Sequence, residues 1–258
     1  MAKIISISNQ KGGVGKTTTA VNLAAALADR KKRTLLVDMD PQANATGGCG
    51  AERDTEGVYN LLLGHCSAHE AVRDTPFKNL SLMPGCVELA GIEVELIGTE
   101  DKEYKLARAL APIKDEYDFI IIDCPPSLST LTINALSASD SILVPIQCEY
   151  YALEGLSQLM YTVSLIRERL NPHLTVEGIV FTMCDMRTNL TVEVIANVEE
   201  HLEEYIFEIK IPRNVRLAEA PSFGLPINYF DHRSSGAIAY KKLAKELIKK
   251  NKGWRKEV

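Results

Sequence analysis

The chain has 258 residues, 46% hydrophobic and 24% charged, with a net charge of −5. This is ordinary globular composition, enough for one large or two small α/β domains. It holds no run of about 18 apolar residues, which excludes a conventional membrane-spanning helix. Six cysteines, no two closer than 17 residues, exclude a Cys-x-x-Cys metal or redox pair. Six free thiols are therefore expected in a reducing cytosol. His65, Cys66 and His69 have helical ligand spacing, but no second ligand cluster stands nearby. The opening residues Met1–Ser6 lack the longer apolar stretch of a signal peptide, so a cytoplasmic chain is expected. Charge is uneven: Tyr240–Val258 holds eight Lys or Arg against two Glu, a local +6, leaving −11 on the rest. A basic tail on an acidic chain is compatible with meeting a polyanion through one face.

In chain order, an apolar strand Ile4–Ser8 runs into Asn9-Gln10-Lys11-Gly12-Gly13-Val14-Gly15-Lys16-Thr17-Thr18, and a helix follows over Thr17–Asp29. A strand, a Gly-rich turn and a helix make a phosphate cradle. Gly12, Gly13 and Gly15 let backbone N–H groups approach phosphate oxygens, and the helix N-terminus adds partial positive charge. Lys16 is the residue to reach the β- and γ-phosphates, and the Thr17 hydroxyl the one to ligate Mg²⁺. The second strand, Thr34–Asp38, ends in Asp38-Met39-Asp40-Pro41, placing two carboxylates where parallel strands open onto a ligand crevice. One Asp suits the Mg²⁺ shell and the other an attacking water.

Arg53–Gly98 is the least regular stretch. A helical fragment at Val58–Leu63 suggests a surface excursion, before a strand at Leu80–Met83 and helical patterns at Val87–Ile97 and Lys102–Lys114. The next strand, Phe119–Asp123, ends in an Asp and is stopped by Pro125-Pro126. It reads as a Walker B strand, with Asp123 holding a water on Mg²⁺. Strands at Ser141–Pro145, Glu177–Met183 and Ile206–Ile211 alternate with helices at Leu153–Leu170, Val192–Tyr205 and Ser235–Lys250. Near-continuous apolar strands alternating with helices predict an α/β fold, a doubly wound and mostly parallel sheet in one domain over residues 1–258.

The string Lys11-Gly12-Gly13-Val14-Gly15-Lys16-Thr17 departs from the general P-loop pattern. Gln10 occupies the first Gly position, and a second lysine precedes the glycine pair. It resembles the deviant Walker A of the ParA/MinD family of dimeric P-loop ATPases. The resemblance implies an ATP site over Lys11–Thr18, with Lys11 reaching across a dimer interface to the partner's ATP. Asp38-Met39-Asp40-Pro41-Gln42-Ala43-Asn44-Ala45-Thr46 is similar to the family's switch, implying that Asp40 polarises the hydrolytic water. Further strings carry the likeness along nearly the whole chain: Leu131–Leu136, Gln147-Cys148-Glu149-Tyr150-Tyr151-Ala152-Leu153-Glu154-Gly155 and Ile211–Leu217. They look like the ParA/Soj branch, the chromosome- and plasmid-partition ATPases. In that branch Pro212 and Asn214 sit by the adenine, and Arg187 and Arg216 match DNA-phosphate contacts. Arginine suits that role through its planar fork. Asp231-His232-Arg233-Ser234-Ser235-Gly236 departs from the branch: Ser235 stands where a basic residue is usual, and the lysines of the tail are candidates to replace that charge.

The resemblance implies an Mg²⁺-dependent ATPase that forms a homodimer when ATP is bound and holds double-stranded DNA without sequence preference. It also implies release through a ParB-type centromere-binding stimulator, and a nucleoid-associated protein with no membrane partner. The P-loop begins at residue 10, leaving no room for an N-terminal helix-turn-helix, so backbone rather than base contacts are expected. A second reading is a membrane-associated ATPase of the MinD type. It needs an amphipathic C-terminal helix, for which Leu243, Ala244, Leu247 and Ile248 are the candidate face. A third, an iron–sulfur carrier or a synthetase, lacks clustered cysteines and a substrate pocket in the sequence.

Overall fold

The computed structural model describes residues 1–53, 56–149, 152–202 and 205–254. Tyr150 and Tyr151 of the family-like string, and Arg255 and Lys256 of the basic tail, lie outside the described residues. Strands β1 (Lys3–Ile7), β2 (Thr34–Asp38), β3 (Arg73–Asp74), β4 (Leu80–Met83), β5 (Phe119–Asp123), β6 (Ser141–Gln147) and β7 (Thr175–Thr182) form one sheet. Its order is β3-β4-β2-β5-β1-β6-β7, parallel except for the two-residue edge strand β3. The helices are α1 (Lys16–Asp29), α2 (Asn44–Gly48), α3 (Val58–Leu63), α4 (Ala68–Ala71), α5 (Ile92–Glu95), α6 (Lys105–Leu110), α7 (Thr130–Ala138), α8 (Ala152–Arg169), α9 (Asn189–Leu202), α10 (Val215–Glu219), α11 (Ile227–Phe230) and α12 (Ser235–Lys250).

The expected doubly wound, mostly parallel sheet is what forms. Every residue of β1, β2 and β5 is buried, because helices cover both faces of the sheet. On one face α1 lies under α12. The small residues Ala20, Ala24 and Ala28 allow close approach, and Leu23, Leu27, Leu243 and Leu247 fill the layer. Each such leucine contributes about 1.5–3 kcal/mol by leaving water. The apolar face of α12 is thereby used up inside the molecule, so the amphipathic helix of the membrane reading is not free. Among the described residues no helix is long and apolar enough to cross a membrane. The other face carries α3, α6 and α7, and further along the sheet α8 and α9 pack on β6 and β7.

Four sequence expectations are corrected. The Val58–Leu63 fragment is not a surface excursion: Val58 and Leu62 are buried against the sheet in one cluster with Met83 and Ile120. Ile206–Ile211 is not a strand. Phe207 and Ile211 donate backbone bonds to Ile179 and Phe181, a step of four residues against two on β7, so no continuous ladder forms, and the Glu208 N–H is taken by the Glu246 carboxylate at 2.9 Å. The helical stretch at Val87–Ile97 is a 3₁₀ segment ending at Gly91 followed by α5, and that at Lys102–Lys114 is α6 between two 3₁₀ segments, the second carrying Pro112. Helix α7 was not expected. Leu131 and Ala135, four apart, face the core, and buried Asn134 accepts the Leu106 N–H and donates to the Lys102 carbonyl.

Candidate functional site

Strand β1 sits where the connections reverse direction, between β5 and β6, and its carboxyl end opens into the turn before α1. This is where open α/β sheets place ligands. The turn is braced from below. Asn9 donates to the Pro145 carbonyl at 2.8 Å and accepts the Lys11 N–H at 3.0 Å. Gln10, in place of the usual glycine, donates to the Thr162 hydroxyl on α8 at 2.9 Å. Thr182, the last residue of β7, donates its hydroxyl to the Val14 carbonyl at 2.8 Å. Gly13 and Gly15 hold φ of 76° and 84°, a left-handed backbone that side chains resist. A Cβ on Gly12 or Gly13 would meet no atom within 4 Å, so packing does not forbid side chains there. The bare backbone leaves open space above the loop, as a phosphate requires.

Both signature lysines rest on the protein itself. Lys16 is buried and donates Nζ to the Lys11 carbonyl at 2.9 Å. Burial lowers its pKa, and Asp123, Cys124 and Asp40 pull it back up. Lys11 pairs with Glu149 just beyond β6, both side chains about a third or more exposed.

Under the loop lie three acids, Asp38, Asp40 and Asp123, all buried. Asp38 is held by the Thr46 N–H and hydroxyl, both at 2.7 Å, and by the Asp40 N–H at 3.2 Å. Burial still pushes its pKa up to about 6. Asp38 is thus committed to shaping the turn after β2. Asp40 accepts the Gln42 N–H at 2.9 Å. Asp123 is fully buried, and neither carboxylate oxygen has a hydrogen-bond partner. Burial, then the nearby Asp38, raises its pKa well above the ordinary range, while the adjacent Thr17 hydroxyl, short of hydrogen-bond geometry, and Lys16 favour its ionised form. A buried, unpartnered carboxylate is costly unless a cation joins it. The Thr17 hydroxyl and the Asp123 carboxylate therefore fit Mg²⁺, which commonly takes one or two protein ligands plus waters and substrate phosphates. Among the described residues no group of three His, Cys, Asp or Glu side chains forms a metal cage, and the His65, Cys66, His69 set makes none.

A cavity of about 440 Å³ adjoins the loop. Gly13, Gly15 and Thr18 form one side, and Pro212 and Asn214 stand opposite. The residues expected at phosphate and base thus share one crevice. Asn214 also caps α10 by accepting the Leu217 N–H at 3.2 Å, and it donates to the Ser235 hydroxyl at 2.7 Å. Ser235, singled out as a lost charge, serves here as the partner of that amide.

Sequence reasoning missed Thr182 and Gly85. The Gly85 N–H donates to Thr46 at 3.0 Å, and a Cβ there would stand 2.6 Å from the Asp38 carbonyl oxygen. Both act by packing across strands, which no local motif displays. The two arginines lie apart from the loop. Arg187, 89% exposed, is gripped by Asp185 through Nε at 2.8 Å and Nη2 at 2.7 Å. Arg216 pairs with Glu219 at 2.8 Å and lies 3.6 Å from Asp231.

A family model described as an AAA domain matches residues 2–176. The chain is 55% identical over 249 residues to the sporulation initiation inhibitor protein Soj of Bacillus subtilis, covering 96% of this chain and 98% of that one. The chain belongs to the ParA/Soj family. The chromosome partitioning protein ParA of Myxococcus xanthus is 51% identical over 253 residues, covering 97% of this chain and 89% of the relative. Among solved structures, a cobyrinic acid a,c-diamide synthase from Mycobacterium smegmatis with bound ADP and magnesium is 36% identical. It superposes with a TM-score of 0.85 over 99% of this chain and 96% of its own. These ParA/Soj relatives span nearly the full chain.

Proposed function

We propose that this chain is an Mg²⁺-dependent ATPase that partitions chromosomes or plasmids by an ATP-switched grip on DNA. The observation that carries the reading is the unpartnered buried Asp123 beneath a braced Gly-rich loop, with Thr17 beside it. The full-length likeness to Soj and ParA supports the biological assignment over a synthetase. ATP binds along Lys11–Thr18, with its base against Pro212 and Asn214. Mg²⁺, held by Thr17 and through a water by Asp123, neutralises phosphate charge. Asp40 orients the attacking water. Lys11 leaves Glu149 and reaches the ATP of a second copy, closing a sandwich homodimer.

In the dimer, Arg187 and Arg216 exchange their carboxylate partners for DNA phosphates. Two weak phosphate-binding faces joined in one dimer bind far better than either alone. Phosphate contacts carry no base information, so binding is indifferent to sequence. A ParB-type centromere-binding partner stimulates hydrolysis and so releases DNA, and the protein resides in the cytoplasm on the nucleoid.

The test is duplex-DNA binding with no nucleotide, ADP or ATP, alongside ATP turnover. Tight binding with ATP only, and Asp40→Ala retaining ATP-dependent DNA binding while turnover falls about 10²–10⁴-fold, is expected. Wild-type turnover by Asp40→Ala would overturn the assignment of Asp40, and DNA binding indifferent to nucleotide would overturn the switch.

A further inference from the structure

Cys148 and Cys184 are 36 residues apart in sequence, yet their sulfurs are 3.8 Å apart in the structure. All six cysteines are free thiols, and this pair is the one whose sulfurs touch among the described residues. Their places in the fold explain the meeting. Strands β6 and β7 pair in register up to Gln147 and Thr182, so each cysteine stands just past the end of its strand. Met183, with φ of 51°, turns the chain at the end of β7. Cys184 then bonds back to the segment after it: its N–H donates to the Ile211 carbonyl and its own carbonyl accepts the Arg213 N–H.

We propose that Cys148 and Cys184 form a reversible disulfide that couples peroxide oxidation to nucleotide binding. A disulfide needs sulfurs about 2.05 Å apart, so the pair must close by under about 2 Å. The two thiols are not equivalent. The Cys184 contact and the nearby Lys210 favour the thiolate of Cys148, whereas Cys184 is held in its protonated form. The thiolate is the reactive species.

Cys148 attacks one oxygen of hydrogen peroxide. The O–O bond breaks, hydroxide leaves and takes up a proton, and Cys148 becomes a sulfenic acid. The Cys184 sulfur then attacks the Cys148 sulfur. The S–O bond breaks, the departing hydroxide takes the Cys184 proton as water, and the S–S bond forms. Two thiols and one peroxide thus yield one disulfide and two waters. Thiol reductants reverse it.

The coupling follows from what flanks each cysteine. Glu149, the partner of Lys11, follows Cys148 directly. Cys184 anchors the segment leading to Pro212 and Asn214, and Thr182, two residues earlier, braces Val14. Drawing the sulfurs together pulls the base wall toward β6 and strains the Arg213-to-Cys184 bond. A loss worth one hydrogen bond weakens nucleotide binding by about fivefold.

The coupling to nucleotide rests on the proposed ATP site, whereas the chemistry does not, and the experiment separates them. The purified full chain is treated with hydrogen peroxide, the remaining thiols are alkylated, and peptides are mapped by mass spectrometry. ADP affinity is measured on the reduced, oxidised and re-reduced protein. The expected result is one crosslink joining the Cys148 and Cys184 peptides, with ADP affinity about fivefold weaker and restored by dithiothreitol. Cys184→Ser should keep its ADP affinity under peroxide, and Cys148→Ser is the second control. Peroxide treatment that leaves both thiols free, or joins other cysteines, overturns the proposal, as does a Cys148–Cys184 crosslink with unchanged ADP affinity. Reduced protein that binds no ADP would instead refute the nucleotide site, and the coupling with it, while leaving the crosslink result intact.

Discussion

Replacing Asp38 by asparagine isolates the electrostatic cost of the buried acids. Asp38 is wholly inaccessible, and its pKa stands at about 6 against an ordinary 3.8. Because the folded form holds its proton to higher pH than the unfolded chain, stability is lost as pH rises from about 4 to about 6, and it stays lost above. The size of that loss is about 3 kcal/mol. Asp123 shifts in the same direction and adds to the fall. An asparagine side chain at this position cannot ionise, so the variant escapes the loss. Its amide can keep the two Thr46 bonds on its carbonyl, but it gives up the 3.2 Å bond from the Asp40 N–H, worth about 1 kcal/mol. Asp38→Asn should therefore be about 2 kcal/mol more stable than wild type at about pH 7.5, or about 4–8 °C in Tm for a chain of this size. At about pH 4 the order should reverse, since wild-type Asp38 is then protonated and keeps all its bonds. Thermal unfolding of both proteins from about pH 4 to about pH 8, without nucleotide or metal, makes the comparison. Parallel stability curves for the two proteins would refute the reasoning, because they would mean Asp38 does not titrate across folding.

Lys11→Ala should fold normally and stay monomeric with ATP by light scattering; its ion pair with Glu149 is partly exposed and contributes at most about 1 kcal/mol. Arg216→Ala should lower the log–log salt slope of DNA binding by about 2, since each substitution counts twice in a dimer; an unchanged slope would leave Arg216 as the partner of Glu219 alone. Thr182→Val keeps the shape but removes the donor to Val14, so ADP affinity should fall about fivefold and Tm by about 2–4 °C.

The sheet was legible because each buried strand is an apolar run and each strand end carries its own punctuation: Gly12–Gly15 after β1, Asp38–Pro41 after β2, Pro125–Pro126 after β5. Those features are local. Helix α7 was hidden because its polar Thr130, Thr132 and Asn134 blur the apolar stripe, and Asn134 is satisfied only by Leu106 and Lys102 from elsewhere in the chain, beside its own helix's Thr130 carbonyl. The stretch 206–211 has strand composition, yet its four-residue step from Phe207 to Ile211 advances only from Ile179 to Phe181 on β7, a mismatch that no local pattern shows. Thr182, Gly85 and Cys184 act across 36 residues or more, each joining one strand end to another segment. Motifs name the atoms that meet a ligand, and the braces behind them follow from topology.

Every cation assigned to a phosphate already has an acceptor in the protein. Lys11 has Glu149, Lys16 the Lys11 carbonyl, Arg187 has Asp185, and Arg216 has Glu219. These holdings differ in kind. The three ion pairs are exposed and screened by solvent, so exchanging a carboxylate for a phosphate costs little and leaves a solvated acid behind. Lys16 is buried, and its ammonium would be desolvated and unpaired without the Lys11 carbonyl. That carbonyl belongs to Lys11, the residue proposed to cross to a second copy. On that proposal, a Lys11 backbone that shifts with its side chain would disturb the resting acceptor of Lys16. Phosphate oxygens are the natural replacement. The two lysines are therefore linked through one carbonyl: filling the phosphate site frees the Lys11 loop, and a Lys11 loop drawn toward a partner favours Lys16 on phosphate. By reciprocity, dimerisation should tighten ATP binding by the same factor that ATP tightens the dimer. ATP affinity measured across protein concentration should rise in wild type and stay flat in Lys11→Ala, and a flat wild-type curve would sever the link.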